Sequence, residues 1–254
     1  MHRLFSIPAL GALFTAALGG CAADNGDEGI FITSNVVPGE GCALVASAGE
    51  PFLSHGTFSV FSRSGYEFHP QMKSRIIATA TQIDARTIIM EGARVTLTFP
   101  DESVFSAAQQ DDLRSRGVMR FSSLFSAPLP PNGGLADGSF DIITTALLDE
   151  LVAAKGAGIL APGAPSFRAE VVATVVVYGD MSGEEVTSQE FQYPVTICND
   201  CVVNVLGSCP LPAGTTLVNE GNSCNPYQDG VADCCRMGDD VVCPATVAPP
   251  PPPA

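Results

Sequence analysis

The nine cysteines are the residues whose number and spacing could carry most of the chemistry in this sequence of 254 residues. Seven of them lie between Cys198 and Cys243, in a stretch rich in Gly, Asn, Asp and Pro with few large apolar residues. Clustered cysteines can form disulfides or bind zinc, and a C-x-x-C pair such as Cys198 and Cys201 can also exchange disulfides. A segment this poor in apolar residues cannot build a core of its own, so we predict that disulfides stabilise it.

Counting the thiols constrains how they pair. Without Cys21, which is considered below, eight cysteines remain, and an even number permits four disulfides. Because seven is odd, one cysteine of the cluster must bond to Cys42 if every thiol pairs within the chain. Our preferred partners for Cys42 are Cys198 and Cys201, which follow the last predicted strand. The predicted half-cystines are Cys42, Cys198, Cys201, Cys209, Cys224, Cys234, Cys235 and Cys243.

The disulfide from Cys42 would close a loop of roughly 150 to 200 residues and constrain the unfolded chain by about 4 to 5 kcal/mol in the chain-entropy model. The adjacent Cys234 and Cys235 should have different partners, because a ring between neighbours is strained.

Other uses of these thiols are less favoured. A redox C-x-x-C site places its first cysteine at a helix N-terminus, whereas Cys198 follows a predicted strand. An oxidising compartment also favours disulfides over zinc.

Residues 225–234 resemble a calcium repeat of the thrombospondin type, written D-x-D-x-D-G-x-x-D. Only Asp229, Gly230 and Asp233 match the pattern, and Asn225 and Tyr227 replace two of its carboxylates. Calcium prefers several oxygen ligands, and half of the charge is missing. We therefore predict no metal and no cofactor, and keep a calcium-binding surface module, with Asp229 and Asp233 as candidate ligands, as an alternative.

The sequence offers little that could carry catalysis. It has no G-x-S-x-G motif, no serine three positions before Lys73 or Lys155, and no H-E-x-x-H motif. Beyond the first twenty residues the only histidines are His55 and His69. We predict that the protein is not an enzyme and assign no catalytic residue. The alternative is a hydrolase in which carboxylates line a cleft with His55 and His69.

The first 21 residues have the composition of an export signal. Arg3 supplies a positive charge, and residues 4–18 carry no charge, which is typical of the apolar region of a secretory leader. About fifteen apolar residues are too few to span a bilayer as a helix, which needs roughly 20. Leu18, Gly19, Gly20 and Cys21 then resemble the lipobox of bacterial lipoproteins.

The resemblance implies that the chain is cleaved after Gly20 and that Cys21 carries lipid. Two or three acyl chains anchor a protein firmly, whereas one gives only marginal binding. Ala22 follows the cysteine instead of an aspartate that would retain the protein in the inner membrane, so the resemblance favours the outer membrane. The whole arrangement is similar to predicted lipoproteins of myxobacteria-like Gram-negative bacteria. The expected partners are the membrane, through Cys21, and another protein of the cell envelope.

Charge excludes one class of partner. The sequence has 27 acidic residues against 12 Lys and Arg, with a formal net charge of −15. Such a surface repels phosphate backbones, so we predict no binding to nucleic acid. The acidity favours solubility, and the functional alternative is binding of a cation or a basic partner.

Strand signals dominate the part of the chain before the cysteine cluster. Apolar and polar residues alternate over residues 57–61 and 93–99, which predicts strands with one buried face. Residues 169–178 and 184–197 predict a long hairpin across the turn at 179–183, with the first strand central in its sheet. Helical spacing of apolar residues indicates one short helix that ends at Lys155 and Gly156 and begins near Ile143, and a weaker helical turn is expected near residues 107–114.

These patterns predict a mainly β protein. We expect an antiparallel β-sandwich, immunoglobulin-like or jelly-roll, with one short helix and a small disulfide-rich C-terminal module. The proline run at the end of the chain should be an extended spacer. The predicted organisation is a leader at 1–20, a lipidated tether at 21–29, the β domain at 30–197, the cysteine-rich module at 198–243 and a proline-rich tail at 244–254.

Overall fold

The computed structural model describes residues 29–249. The predicted leader, the lipid site at Cys21, all of the tether except Gly29, and the last five residues of the tail lie outside this part. Two names are kept below: the β domain is residues 30–197, and the module is residues 198–243.

The described residues are mainly β, as predicted. Their strands are β1 Ile30–Val36, β2 Phe52–Leu53, β3 Gly56–Ser59, β4 Tyr66–Phe68, β5 Pro70–Ser74, β6 Ile88–Thr98, β7 Arg120–Leu129, β8 Leu135–Asp137, β9 Phe140–Ile143, β10 Arg168–Met181, β11 Glu184–Thr187, β12 Phe191–Cys198, β13 Val203–Ser208, β14 Ala232–Met237 and β15 Asp240–Val242. The helices are α1 Ile83–Arg86, α2 Ala107–Ser115 and α3 Thr145–Lys155.

A six-stranded sheet forms the main layer, in the order β3-β12-β10-β6-β7 with β11 also paired to β10. The predicted hairpin is confirmed, because β10 pairs antiparallel with both β11 and β12. Its turn consists of Ser182 and Gly183, both with positive φ, which is the backbone that matches the twist of a two-residue hairpin. β10 is central, as its run of valines indicated.

A second layer covers the inner face of this sheet. It consists of a four-stranded sheet in the order β2-β1-β5-β8 and the two-stranded pair β4-β9. Ile30 and Met72 from the four-stranded sheet and Phe68 from β4 belong to the same core cluster as Val95 and Val175 of the main sheet. The alternation predicted for β6 is confirmed: Val95 and Leu97 are buried on the inner face, and Thr96 and Thr98 are on the opposite, outer face.

Two strand pairs depart from the predicted antiparallel pattern. β3 runs parallel to β12, and β13 runs parallel to β14. Neither pair is joined by a short hairpin that would force the antiparallel direction, so a parallel pairing is open to them. β3 is an edge strand of the main sheet, and its Phe58 forms an isolated β-bridge with Gln228 of the module.

Three helices are present among the described residues where we predicted one. α3 is the predicted helix, and it buries Leu147, Leu148 and Leu151 against the β domain. The weak signal near residues 107–114 is a nine-residue helix, α2, which begins with a capping box between Ser106 and Gln109. α1 is a single turn that the apolar spacing gave no sign of. Within residues 29–249 no helix is long and apolar enough to cross a membrane.

Candidate functional site

The eight cysteines of the described residues lie in four pairs at disulfide distance. Cα–Cα separations are 5.5 Å for Cys42–Cys224, 5.8 Å for Cys198–Cys201, 5.1 Å for Cys209–Cys235 and 4.5 Å for Cys234–Cys243. Cys42 does reach the module, but our preferred partners for it were wrong. The chain turns back directly after β12, so Cys198 lies beside Cys201 and leaves Cys224 for Cys42.

Asn199 holds the turn inside the Cys198–Cys201 pair. Its Oδ1 accepts a hydrogen bond from the Phe167 N–H at 2.9 Å, and its Nδ2 donates to the carbonyls of Ile159 and Pro165, each at 3.0 Å. These contacts fix the C-x-x-C turn against the loop that leads into β10. The pair sits at a strand end, as the sequence predicted, and its neighbours give it a structural place in the fold.

A buried polar network joins the module to the β domain. The Asp229 Oδ2 accepts a hydrogen bond from the Tyr66 hydroxyl at 2.7 Å, and its Oδ1 accepts one from the Thr57 N–H at 2.8 Å. The Tyr66 hydroxyl lies 3.1 Å from that of Tyr193, which accepts a hydrogen bond from Asn35 Nδ2 at 2.8 Å. Two strands of the β domain, β3 and β4, therefore contact a single carboxyl group of the module, and β12 and β1 are connected to it through the Tyr66 hydroxyl.

Burial dominates the electrostatics of this network. It raises the pKa of Asp229 above its ordinary value, although the donated hydrogen bonds from Thr57 and Tyr66 act in the opposite direction. Burial also raises the pKa of Tyr193 to about 12 and raises the pKa of Tyr66. Both tyrosines consequently remain neutral donors over the physiological pH range.

Two amide side chains of the module extend this contact between module and β domain, called the junction below, along β4. Gln228 accepts a hydrogen bond from the Glu67 N–H at 2.9 Å and donates one to the Glu67 carbonyl at 3.0 Å. These two bonds satisfy the backbone N–H and carbonyl of Glu67 in the way that a neighbouring β-strand would. Asn225 Nδ2 donates to the Gly65 carbonyl at 3.1 Å. In the sequence these amides belong to residues 225–234, which resemble a calcium repeat. That pattern gives no sign that either amide contacts β4.

Asp233 organises the module itself. Its carboxylate accepts hydrogen bonds from the backbone N–H groups of Val218 at 2.6 Å and Asn219 at 3.0 Å, and from the side-chain amides of Asn204 and Asn219, each at 2.7 Å. These donors, the Asn219 amide first, lower the pKa of Asp233. A carboxylate that is already surrounded by N–H donors is poorly placed to coordinate a cation.

The two candidate calcium ligands therefore belong to separate networks. Asp229 faces Tyr66 and Thr57 of the β domain, whereas Asp233 faces loops of the module. Within residues 29–249 no group of three or more His, Cys, Asp and Glu side chains is arranged to hold a metal ion.

His55 lies on the outer face of the six-stranded sheet and is exposed. Its Nε2 is 3.3 Å from Glu170 Oε1 and 3.1 Å from Thr196 Oγ1. A catalytic relay uses both ring nitrogens, one for the nucleophile and the other for the orienting carboxylate. Here the hydroxyl and the carboxylate approach the same nitrogen, so the three groups do not form such a relay.

His69 lies elsewhere, with 5% of its surface exposed. Its backbone N–H donates to Asn35 Oδ1 at 2.8 Å, and its Nδ1 has no hydrogen-bond partner among the described residues. Burial lowers the pKa of His69, although Glu67 opposes this shift. His69 and Asp229 line a polar cavity of about 240 Å³, and His55 does not line it. The cleft with two histidines that the hydrolase alternative requires is therefore not formed.

A groove of about 430 Å³ lies on the surface between the β domain and the module, and it is called the acidic groove below. It is bounded by α3, by the loop after β3 and by the turn between β14 and β15. Its lining residues are Val60, Phe61, Ser62, Arg63, Thr145, Leu148, Asp149, Val152, Ala153, Leu160, Asp239, Asp240 and Val241. The sequence did not predict it, because its three segments are far apart in the chain.

No protein-family model matches this chain, and a search of the curated proteins finds no significantly similar sequence. Inference about function therefore depends on the residues themselves.

Proposed function

We propose that this protein is an exported lipoprotein of the bacterial cell envelope with a non-enzymatic role in binding or assembly. The observation that carries the proposal is the cysteine pairing: all eight cysteines within residues 29–249 lie in pairs at disulfide distance. Disulfides form and persist in oxidising compartments and are rare in the cytosol. This pairing supports export, which is also what the N-terminal leader predicts.

Lipid on Cys21 would anchor the exported chain. The apolar leader followed by Leu18, Gly19, Gly20 and Cys21 supports this part of the proposal. Several acyl chains on one residue give firm membrane attachment. Residues 22–29, which are small, polar and acidic, would then act as a short spacer between the outer membrane and the β domain.

The polar groups of the described residues support binding over catalysis. Asp229 and Asp233 are occupied by hydrogen-bond donors of the protein itself, and His55 and His69 lie apart. What the surface between β domain and module does offer is the open acidic groove. A partner protein of the envelope is the kind of ligand that this combination favours.

Membrane fractionation tests the anchor. The variant Cys21→Ser should move from the membrane fraction to the soluble exported fraction, because it removes the acylated sulfur. The adjacent change Ala22→Ser is the matched control and should leave the protein in the membrane fraction. Retention of Cys21→Ser in membranes would rule out the lipid anchor.

Mass spectrometry of the non-reduced protein tests export. Alkylation without reduction should label none of the eight paired cysteines, and alkylation after reduction should label all of them. Two or more thiols labelled before reduction would contradict the proposed compartment. Cross-linking in intact envelopes, followed by purification of the wild-type protein, then identifies the partner.

A further inference from the structure

The acidic groove carries more negative charge than its own contacts neutralise. Asp149 on α3 and Asp239 in the β14–β15 turn are exposed on its rim, and neither carboxylate has an ion pair or hydrogen bond among the described residues. Asp240 is paired with Arg63, the one basic residue of the lining. Two carboxylates from different regions of the chain therefore face the same opening without a cationic partner.

The floor of the groove is apolar. Leu148 and Val241 are buried beneath it, while Phe61, Val152 and Leu160 are partly exposed. Long basic side chains combine an aliphatic stem with a charged end, so they cover apolar surface while the charge remains at the rim. An apolar floor below a carboxylate rim is complementary to that shape and charge.

The groove is also held in place before any ligand binds. Arg236 lies over the Phe61 ring at 5.7 Å and donates hydrogen bonds to the carbonyls of Leu160 and Asp239. The pair Cys234–Cys243 fastens the two ends of the β14–β15 hairpin, which carries Asp239. A preorganised wall reduces the entropy that is lost on binding.

We propose that the acidic groove docks a basic segment of a partner protein, with a Lys or Arg stem on the apolar floor and its charged end between Asp149 and Asp239. The inference depends on the binding role proposed above and names the surface and the chemistry of the partner. A formal net charge of −15 would also speed the approach of a basic partner.

Peptide binding to the purified protein tests the groove. The probe is a short fluorescent peptide that alternates lysine and leucine, and the control peptide carries glutamate in place of lysine. Fluorescence anisotropy at low salt should show binding of the lysine peptide only. Affinity should fall steeply as salt approaches about 0.5 M, because screening weakens exposed charge pairs.

Matched variants separate the groove from general acidity. The double variant Asp149→Asn/Asp239→Asn should weaken binding about tenfold, the scale of about 1.4 kcal/mol for lost charge contacts. The control Glu91→Gln/Glu184→Gln removes the same charge from exposed positions outside the groove and should change affinity less than about twofold. Equal losses in the two double variants would overturn the proposal.

A third variant fills the groove from within. Ala153 is exposed on α3 one turn after Asp149, so Ala153→Arg places a guanidinium beside that carboxylate in a favourable i,i+4 pair. Binding of the lysine peptide should be lost while circular dichroism and the melting temperature remain those of the wild type. Unchanged binding would count against the groove.

The outcomes distinguish this inference from the proposed function. If the lysine peptide does not bind but Cys21→Ser is released from membranes and cross-linking finds a partner, the groove is not the docking site and the envelope role stands. If the groove binds and the eight thiols are free, the assignment to the envelope fails instead.

Discussion

The β domain and the module show two ways of holding a polypeptide together. In the β domain a single large cluster of buried apolar side chains, with Leu97, Val175 and Phe58 fully covered, joins both layers. The module has only two small clusters, and half-cystines such as Cys234 and Cys235 are among their buried members. Where apolar residues are scarce, disulfides and a carboxylate that accepts several hydrogen bonds, that of Asp233, take the place of a large hydrophobic core.

The junction differs from both. Tyr66, Tyr193 and Asp229 form a buried polar network there, and the pair Cys42–Cys224 adds one covalent link. Buried polar groups fix geometry because each needs a particular partner. The comparison therefore predicts large losses from covalent or apolar changes and smaller losses at the polar junction.

The largest expected effect comes from the long-range disulfide. Cys42 and Cys224 are 182 residues apart, so the double variant Cys42→Ala/Cys224→Ala should lower the free energy of unfolding by about 5 kcal/mol in the chain-entropy model. Cys209 and Cys235 are 26 residues apart, and their double alanine variant should lose about 3.5 kcal/mol. Urea titration measures both values. A larger loss from the short-range pair would show that loop length does not set the difference.

Truncation in the core of the β domain should have the next largest effect. Leu97 is fully buried, so Leu97→Ala should cost about 3 kcal/mol through lost burial and the cavity that remains. Leu124 on the neighbouring strand is 79% exposed, and Leu124→Ala should change stability by less than about 0.5 kcal/mol. Thermal denaturation compares the two. Similar melting temperatures for both variants would contradict the proposed core.

The polar junction should respond more weakly. Tyr66→Phe keeps the ring and removes the hydroxyl that donates to Asp229, so we expect a loss of about 2 kcal/mol. Tyr178→Phe is the control, because its hydroxyl lies outside the network. Hydrogen exchange should also increase most near residues 225–229, where the module meets the β domain. Exchange that rises only in the β domain would argue against a joining role.

The smallest effect should come from acidification of His69. Its pKa is lowered in the folded protein because it is buried, so the unfolded chain binds the proton first. The stability that His69 contributes is complete above the ordinary pKa of 6.5 and is lost as the pH falls below that value. His69→Gln should show a flatter pH dependence of stability between pH 6.5 and about 5. Parallel curves of stability against pH for the two proteins would indicate that the pKa of His69 is the same in the folded and the unfolded chain.

Local patterns in the sequence predicted the parts of the fold that local physics determines. Alternation identified the buried face of β6, the Gly, Asp and Ser residues of the turn at 179–183 predicted the hairpin of β10, and apolar spacing located α3. The parallel pairing of β3 with β12 has no such signature, because its strands are far apart in the chain. A count of thiols required a partner for Cys42 in the module but could not select Cys224.

The candidate site was harder to predict for the same reason. Tyr66 and Asp229 are 163 residues apart and carry no shared motif. Asp229 and Asp233 looked like possible cation ligands because their spacing matched part of a calcium repeat. The structure shows what spacing alone omits: the N–H and O–H groups that already occupy both carboxylates.

The link between Cys42 and Cys224 has a consequence for biogenesis. In a chain that is exported from its N-terminus, Cys42 is the first of the eight paired cysteines to arrive, and 182 further residues must cross before its partner is present. An oxidase that joins thiols in order of arrival would trap Cys42 with Cys198 instead. If the chain is exported as we propose, its correct maturation would require either delayed oxidation or an isomerase that reshuffles the first bond.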